Sequence, residues 1–149
     1  MRSPCPPVMP EPDVLTRAWR WHASLTLGPW HSSVPCGRTY AIACLAEWGL
    51  AGAMDSVALV VSELLTNAVI ASEALEGNPC PVRLWLQADG GQVLIMVGDG
   101  SQLAPGRQTP ADDQEGGRGL LLVEAVSVQW SWFRFEGGKV VWALCEAPI

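Results

Sequence analysis

The hydrophobic pattern of the chain changes period near its midpoint. From Val34 to Leu50, Tyr40, Ile42, Ala43, Leu45 and Ala46 supply an apolar helical side and Pro35 suits a first turn, so a helix is predicted there. A second helix is predicted from Asp55 or Ser56, residue types that start helices, to about Leu75, with Gly77, Asn78 and Pro79 beyond it. Before both, Trp19, Trp21, Ala23, Leu25 and Leu27 fall on one side at period two, which predicts a short strand over Trp19 to Leu27.

Past Pro79 the alternation takes over. PVRLWLQA sets Val82, Leu84 and Leu86 against Arg83, Trp85 and Gln87, as a half-buried strand does, and the Asp89-Gly90-Gly91 turn leads into a second strand. That strand, Val93 to Val97, is apolar on both sides and is predicted to lie centrally in the sheet. A polar, glycine-bearing loop from Ser101 to Gly117 follows, of a length that often serves as a functional lid. GLLLVEAV then reads as a helix, and VQWSWFRF with KVVWALCEA as a hairpin around Gly137-Gly138. The order predicts an α/β fold, a two-layer α/β sandwich with helices packed on one face of a mixed, largely antiparallel sheet. Residues 14–149 are read as this one domain, and residues 1–13, which hold five of the twelve prolines, as a disordered or extended tail.

Composition narrows the classes of function. With 149 residues, 49% of them hydrophobic, the chain builds one real core. A formal net charge of -6 and a single lysine, Lys139, leave no basic stripe for a phosphate backbone, which argues against nucleic acid. No run approaches the roughly 18 consecutive apolar residues of a membrane span, and prolines interrupt the N-terminus where a signal peptide has its apolar core. A cytoplasmic protein without a membrane partner is expected. Cys5, Cys36, Cys44, Cys80 and Cys145 form no CxxC pair, and with only His22 and His31 to join them they read as free thiols. No repeat is apparent, and Trp85, Trp130, Trp132 and Trp142 read as sheet packing.

Three polar islands remain. Glu63 and Asn67 are four residues apart and share one face of the second helix, among Val60, Leu64 and Ile70. They line a solvated stripe, cap a neighbouring loop, or face a ligand, because an unpaired buried polar group costs about 1–3 kcal/mol. Gly98-Asp99-Gly100-Ser101 ends the central strand, where loops build sites on α/β folds; it is an ordinary turn or a carboxylate placed to read an amino group. Gly116-Gly117-Arg118-Gly119-Leu120 opens the predicted third helix, where free N–H groups and the helix dipole favour phosphate; alone it is equally a hinge.

Taken in order and spacing, these islands resemble the GHKL ATPase superfamily with its Bergerat nucleotide-binding fold. SELLTNAV, VGDGS, GGRGLLLVEAVS and GGKVVWALC are similar to the small bacterial histidine-kinase-like ATPase domains of the anti-sigma factor serine kinase group, over about residues 15–147. The resemblance implies ATP and magnesium as cofactors. It implies Glu63 as the catalytic carboxylate, Asn67 as the magnesium ligand, and Asp99, with Gly100 beside it, as the acceptor of the adenine amino group. It implies Gly117 and Gly119 as lid glycines contacting phosphates next to Leu120, with Arg118 either pairing a phosphate or pointing to solvent. Its implied partners are a STAS-type anti-anti-sigma protein and a sigma factor, with homodimers common among relatives. The chain departs from the pattern in three places: Ala71 and Ser72 stand where many relatives have a histidine and an alanine. The usual D-x-G-x-G shrinks to Asp99-Gly100-Ser101, and Leu121 and Leu122 replace a hydroxyl residue. Two functions follow, an ATP-dependent serine kinase or a nucleotide-controlled interaction module with little transfer.

Overall fold

The computed structural model describes residues 12–105 and 113–148. Their elements are α1 (Pro12–Thr16), β1 (Trp21–Leu27), α2 (Ser33–Trp48), a 3-10 turn (Ala51–Ala53), α3 (Met54–Glu73), β2 (Val82–Ala88), β3 (Gln92–Asp99), α4 (Asp113–Val126), β4 (Gln129–Phe135) and β5 (Gly138–Glu146). The strands form one sheet in the order β1-β2-β3-β5-β4, and every neighbouring pair is antiparallel. The predicted two-layer sandwich is what the chain adopts, but the sheet, expected to be mixed and largely antiparallel, is antiparallel throughout. Tight turns join β2–β3 and β4–β5, and the long connections through the helices bring β1 against β2 and β5 against β3 in the same antiparallel sense.

Local chemistry sets most boundaries. α2 stops at Trp48, two residues before the predicted end, because the chain turns left-handed at Gly49 (φ 76), whose N–H donates to Ala46 while the Leu50 N–H reaches Leu45 at 2.9 Å. In the turn before β3, Asp89 Oδ1 accepts from the Gly91 and Gln92 amides at 2.9 and 3.0 Å. The β4–β5 turn falls at Glu136-Gly137, both left-handed (φ 49 and 82), the conformation that matches the twist of a two-residue hairpin. Gly138 consequently becomes the first residue of β5.

The main core lies between the helices and the sheet. α3 buries Val57, Val60, Val61, Leu64, Leu65, Ala68, Val69 and Ala71, a stripe at helical spacing. It meets Leu84, Leu86, Val93, Ile95, Val97, Val141 and Ala143 from the strands. By length and hydropathy Ala51–Glu73 is apolar enough to cross a membrane, although no uninterrupted apolar run signals it; here its apolar side is the floor of this core.

The opposite face of the sheet carries a second, smaller cluster of Val14, Trp19, Leu94, Trp142 and Leu144. Trp19 was expected on the same side as Trp21, but β1 begins only at Trp21 and the alternation does not extend back through the bend at Arg20. Instead Trp19 donates from Nε1 to the Val14 carbonyl at 3.3 Å, with the Arg17 guanidinium 4.6 Å over its ring. Pro12 and Asp13, counted with the tail in the sequence, thus open the short helix that covers this face; residues 1–11 lie outside the described residues.

Trp19 is 5% exposed and Trp30 is 55% exposed. Trp19→Ala is expected to lower unfolding stability by about 3–5 kcal/mol, and Trp30→Ala to change it by no more than about 0.5 kcal/mol. Urea denaturation checks this, and equal effects would contradict the role of the outer cluster.

Candidate functional site

The side of α3 turned away from the sheet carries the polar pair. Glu63 and Asn67 are half-buried, and α4 crosses directly over them. At Gly119, a Cβ would stand 2.7 Å from Glu63 Oε1 and 3.9 Å from Asn67 Oδ1, so a side chain there would displace the Glu63 carboxylate from the place it holds under α4. Among the described residues, the buried Asn67 Nδ2 has no hydrogen-bond partner. Most buried polar atoms are paired, and one left alone beside a carboxylate marks a place where something else completes it.

The second part of the site is the end of β3. Asp99 and Lys139 are register partners on neighbouring strands, and both side chains are 2% exposed. Lys139 Nζ donates to Asp99 Oδ1 at 3.1 Å, and the same oxygen accepts from the Ser101 amide at 2.8 Å. Ser101 Oγ in turn accepts from the Leu103 amide at 3.2 Å. The turn reading and the site reading of this stretch therefore coexist: one carboxylate oxygen shapes the loop. Gly138 makes the convergence possible, since a Cβ there would overlap the Asp99 carbonyl.

Burial pushes the Asp99 carboxyl up from the ordinary carboxylate range, against the pull of the Lys139 ammonium and the Ser101 amide. Burial likewise pushes the Lys139 ammonium down, opposed by Asp99 and reinforced by Arg134. A raised carboxyl favours the folded state below its unfolded pKa and loses that contribution as pH climbs through the folded value. A lowered ammonium contributes above its unfolded pKa and loses it as pH falls through the folded value. Between those limits, around neutral pH, the fold holds both charges at a net cost in stability.

Between the end of α3 and the loop after Asp99 lies a cavity of about 450 Å³ lined by Ala71, Ala74, Leu75, Gly100, Ser101 and Leu103, among others. Ala71 stands one turn beyond Asn67 on α3, so the cavity continues the Glu63–Asn67 face toward the loop after Asp99. A smaller space of about 250 Å³, lined by Asp99, Gly100 and Lys139 together with Trp85, Gly98 and Phe135 among others, opens at the same strand ends; Trp85 belongs to the alternate side of β2 from the buried Leu84 and Leu86. The larger cavity is the one that adjoins the polar face of α3.

The other predicted residues fall around this frame. A Cβ on Gly100 would meet Cys80 at 3.1 Å and Leu75 at 3.3 Å, so the loop lies tightly against the chain leaving α3. Leu120 is half-buried against the main core, while Leu121 is 64% exposed. Gly117 and Arg118 lie within α4, and the Arg118 side chain is outside the described residues, as are residues 106–112 of the predicted lid. The helix begins at Asp113 rather than at the Gly116–Gly119 run, so the glycines sit inside its first turns and the free N–H groups of its start precede them.

Sequence reasoning missed Lys139 and Ser101. The signal for Lys139 was present: a chain with one lysine places it at the head of an otherwise apolar strand. A charge in that setting is buried only when paired.

The family model for the histidine kinase-like ATPase domain matches residues 33–144, which takes in both helices of the main core and all the strands but β1. No curated protein matches the chain.

Lys139→Met alone is expected to destabilise the fold by about 3–5 kcal/mol by leaving Asp99 buried and unpaired, whereas Asp99→Asn with Lys139→Met is expected to match or exceed the wild type at neutral pH. Thermal unfolding of the three proteins decides it, and a double variant as unstable as the single would contradict the reading of the pair.

Proposed function

The chain belongs to the histidine kinase-like ATPase domain family, and from that premise we propose that it is a cytoplasmic ATP-binding regulator of the anti-sigma-factor type. In this reading it is a serine/threonine protein kinase that phosphorylates a STAS-type anti-anti-sigma partner and engages a sigma factor. The observation that carries the nucleotide part is Asn67 Nδ2, buried without a partner among the described residues, beside Glu63 and under Gly119.

The residues present fit magnesium-ATP. Asn67 would hold the metal through its carboxamide oxygen, a hard ligand suited to magnesium, which keeps waters and phosphate oxygens around it. The ion supplies charge neutralisation at the phosphates. Asp99 would accept the adenine amino group through Oδ2, since Oδ1 is already engaged twice. Gly117 and Gly119 would offer backbone N–H groups to the phosphates next to Leu120, and Arg118 would either pair a phosphate oxygen or point to solvent. Those amides lie within α4, so phosphate contact calls for the first turns of α4 to unwind. Gly116, Gly117 and Gly119 make that inexpensive, because each glycine weakens a helix interior by about 1 kcal/mol relative to alanine. Glu63 would accept the proton of the partner's serine hydroxyl as that oxygen attacks the γ-phosphate.

One observation favours the second reading, a nucleotide-dependent interaction module with little transfer. α4 stands over Glu63 so closely that a Cβ at Gly119 would lie 2.7 Å from the Glu63 carboxylate. Unless α4 moves, the carboxylate has a helix where a substrate hydroxyl must come.

With magnesium-ATP and a STAS-type partner, the wild type is expected to transfer the γ-phosphate to a serine of that partner. Glu63→Ala is expected to reduce transfer by about 10²–10⁴-fold while ATP still binds. Binding without transfer by the wild type selects the module. Asn67→Ala is expected to weaken magnesium-dependent ATP affinity by about tenfold or more; calorimetry showing unchanged affinity would remove the metal role.

A further inference from the structure

Lys139 is enclosed more completely than its contacts explain. Its ammonium carries three N–H donors, yet among the described residues one hydrogen bond is recorded for it, to Asp99 Oδ1. Asp99 is incomplete in the complementary way. Both recorded bonds fall on Oδ1, and among the described residues none is recorded on Oδ2. A buried ion pair that served the fold alone gains most when its remaining donors and lone pairs are satisfied. This pair leaves an acceptor and donors unmatched side by side; Asp99, Lys139 and Gly100 line the 250 Å³ space, and Gly100 and Ser101 line the neighbouring 450 Å³ cavity.

We propose that Lys139 reads the nucleotide base together with Asp99: its ammonium donates to a ring nitrogen of adenine adjacent to the carbon that bears the amino group, while Asp99 Oδ2 accepts from that amino group. The inference rests on the nucleotide reading above and adds to it a residue and a recognition rule. A carboxylate alone tests for the amino group. The couple tests for an amino group and a neighbouring acceptor at once, and a base lacking either leaves a buried carboxylate oxygen or ammonium N–H without a hydrogen bond.

The fold holds the couple in fixed geometry. Asp99 and Lys139 come from the facing ends of β3 and β5, paired in register, and Gly138 allows those strands to close on each other. Arg134, the register partner of Lys139 on β4, is exposed and adds positive charge from the far side. Lys139 therefore has a single recorded anion, Asp99, and an acceptor brought by a ligand would be its second partner.

The test is calorimetric binding of magnesium complexes of ATP, 1-deaza-ATP, 7-deaza-ATP and purine riboside triphosphate, which lacks the amino group. For the wild type, the amino-free analogue and 1-deaza-ATP are each expected to bind about tenfold or more weakly than ATP, and 7-deaza-ATP, which keeps the ring nitrogen beside the amino-bearing carbon, to bind about as tightly as ATP. In the Asp99→Asn, Lys139→Met double variant, whose fold is checked by thermal unfolding, both penalties are expected to shrink to about twofold. Wild-type protein that binds 1-deaza-ATP as tightly as ATP overturns the proposal, and so does a 1-deaza penalty that persists undiminished in the double variant. If wild type discriminates against the amino-free analogue alone, Asp99 reads the base and Lys139 does not, and the nucleotide reading survives. If no adenine triphosphate binds at all, that reading falls and this inference with it.

Discussion

α3 lies along the sheet with one side buried against β2, β3 and β5, and the placement of every site residue depends on that contact. Burying valines and leucines at about 1.5–3 kcal/mol each, the helix has one rotation about its axis that puts Val57, Val60, Val61, Leu64 and Leu65 inward. The same rotation turns Glu63 and Asn67 toward α4. Their position is thus fixed by hydrophobic residues that have no chemistry of their own. A one-residue slip of the stripe would cost several buried side chains, which keeps the polar face rigid.

The end of the sheet imposes the second constraint. β3 and β5 close tightly enough at Gly138 to bring a carboxylate and an ammonium together with almost no solvent. Such a pair costs the fold stability around neutral pH. The cost is intelligible when one carboxylate oxygen shapes the loop through Ser101 and the other is kept for a ligand. Binding and folding then draw on the same side chain, and the loop, the ion pair and the cavity move or hold together.

The main core was legible in the sequence because its period is strong. The stripe of α3, the two-sided apolar run of β3 and the alternation of β2 each predicted the observed element, and the Asp89 turn followed from side-chain chemistry. Glu63, Asn67 and Asp99 stood out as polar residues that burial must account for. What was not legible depends on contacts between distant segments. Trp19 packs on the outer face because a bend at Arg20 breaks the alternation, and α4 starts at Asp113 although glycines weaken its first turns. Lys139 could be seen as unusual, but its partner is forty residues away and is specified only by strand register.

The central claim is that α3, the end of β3 and α4 enclose one nucleotide. Amide hydrogen exchange with and without magnesium-ATP tests it most directly. The account predicts slower exchange on addition of nucleotide in the segments carrying Glu63–Asn67, Asp99–Leu103 and Gly119–Val123, with β1 and the outer cluster around Trp19 unchanged. Exchange that is unaltered in those three segments, or altered only on the outer face, would contradict it.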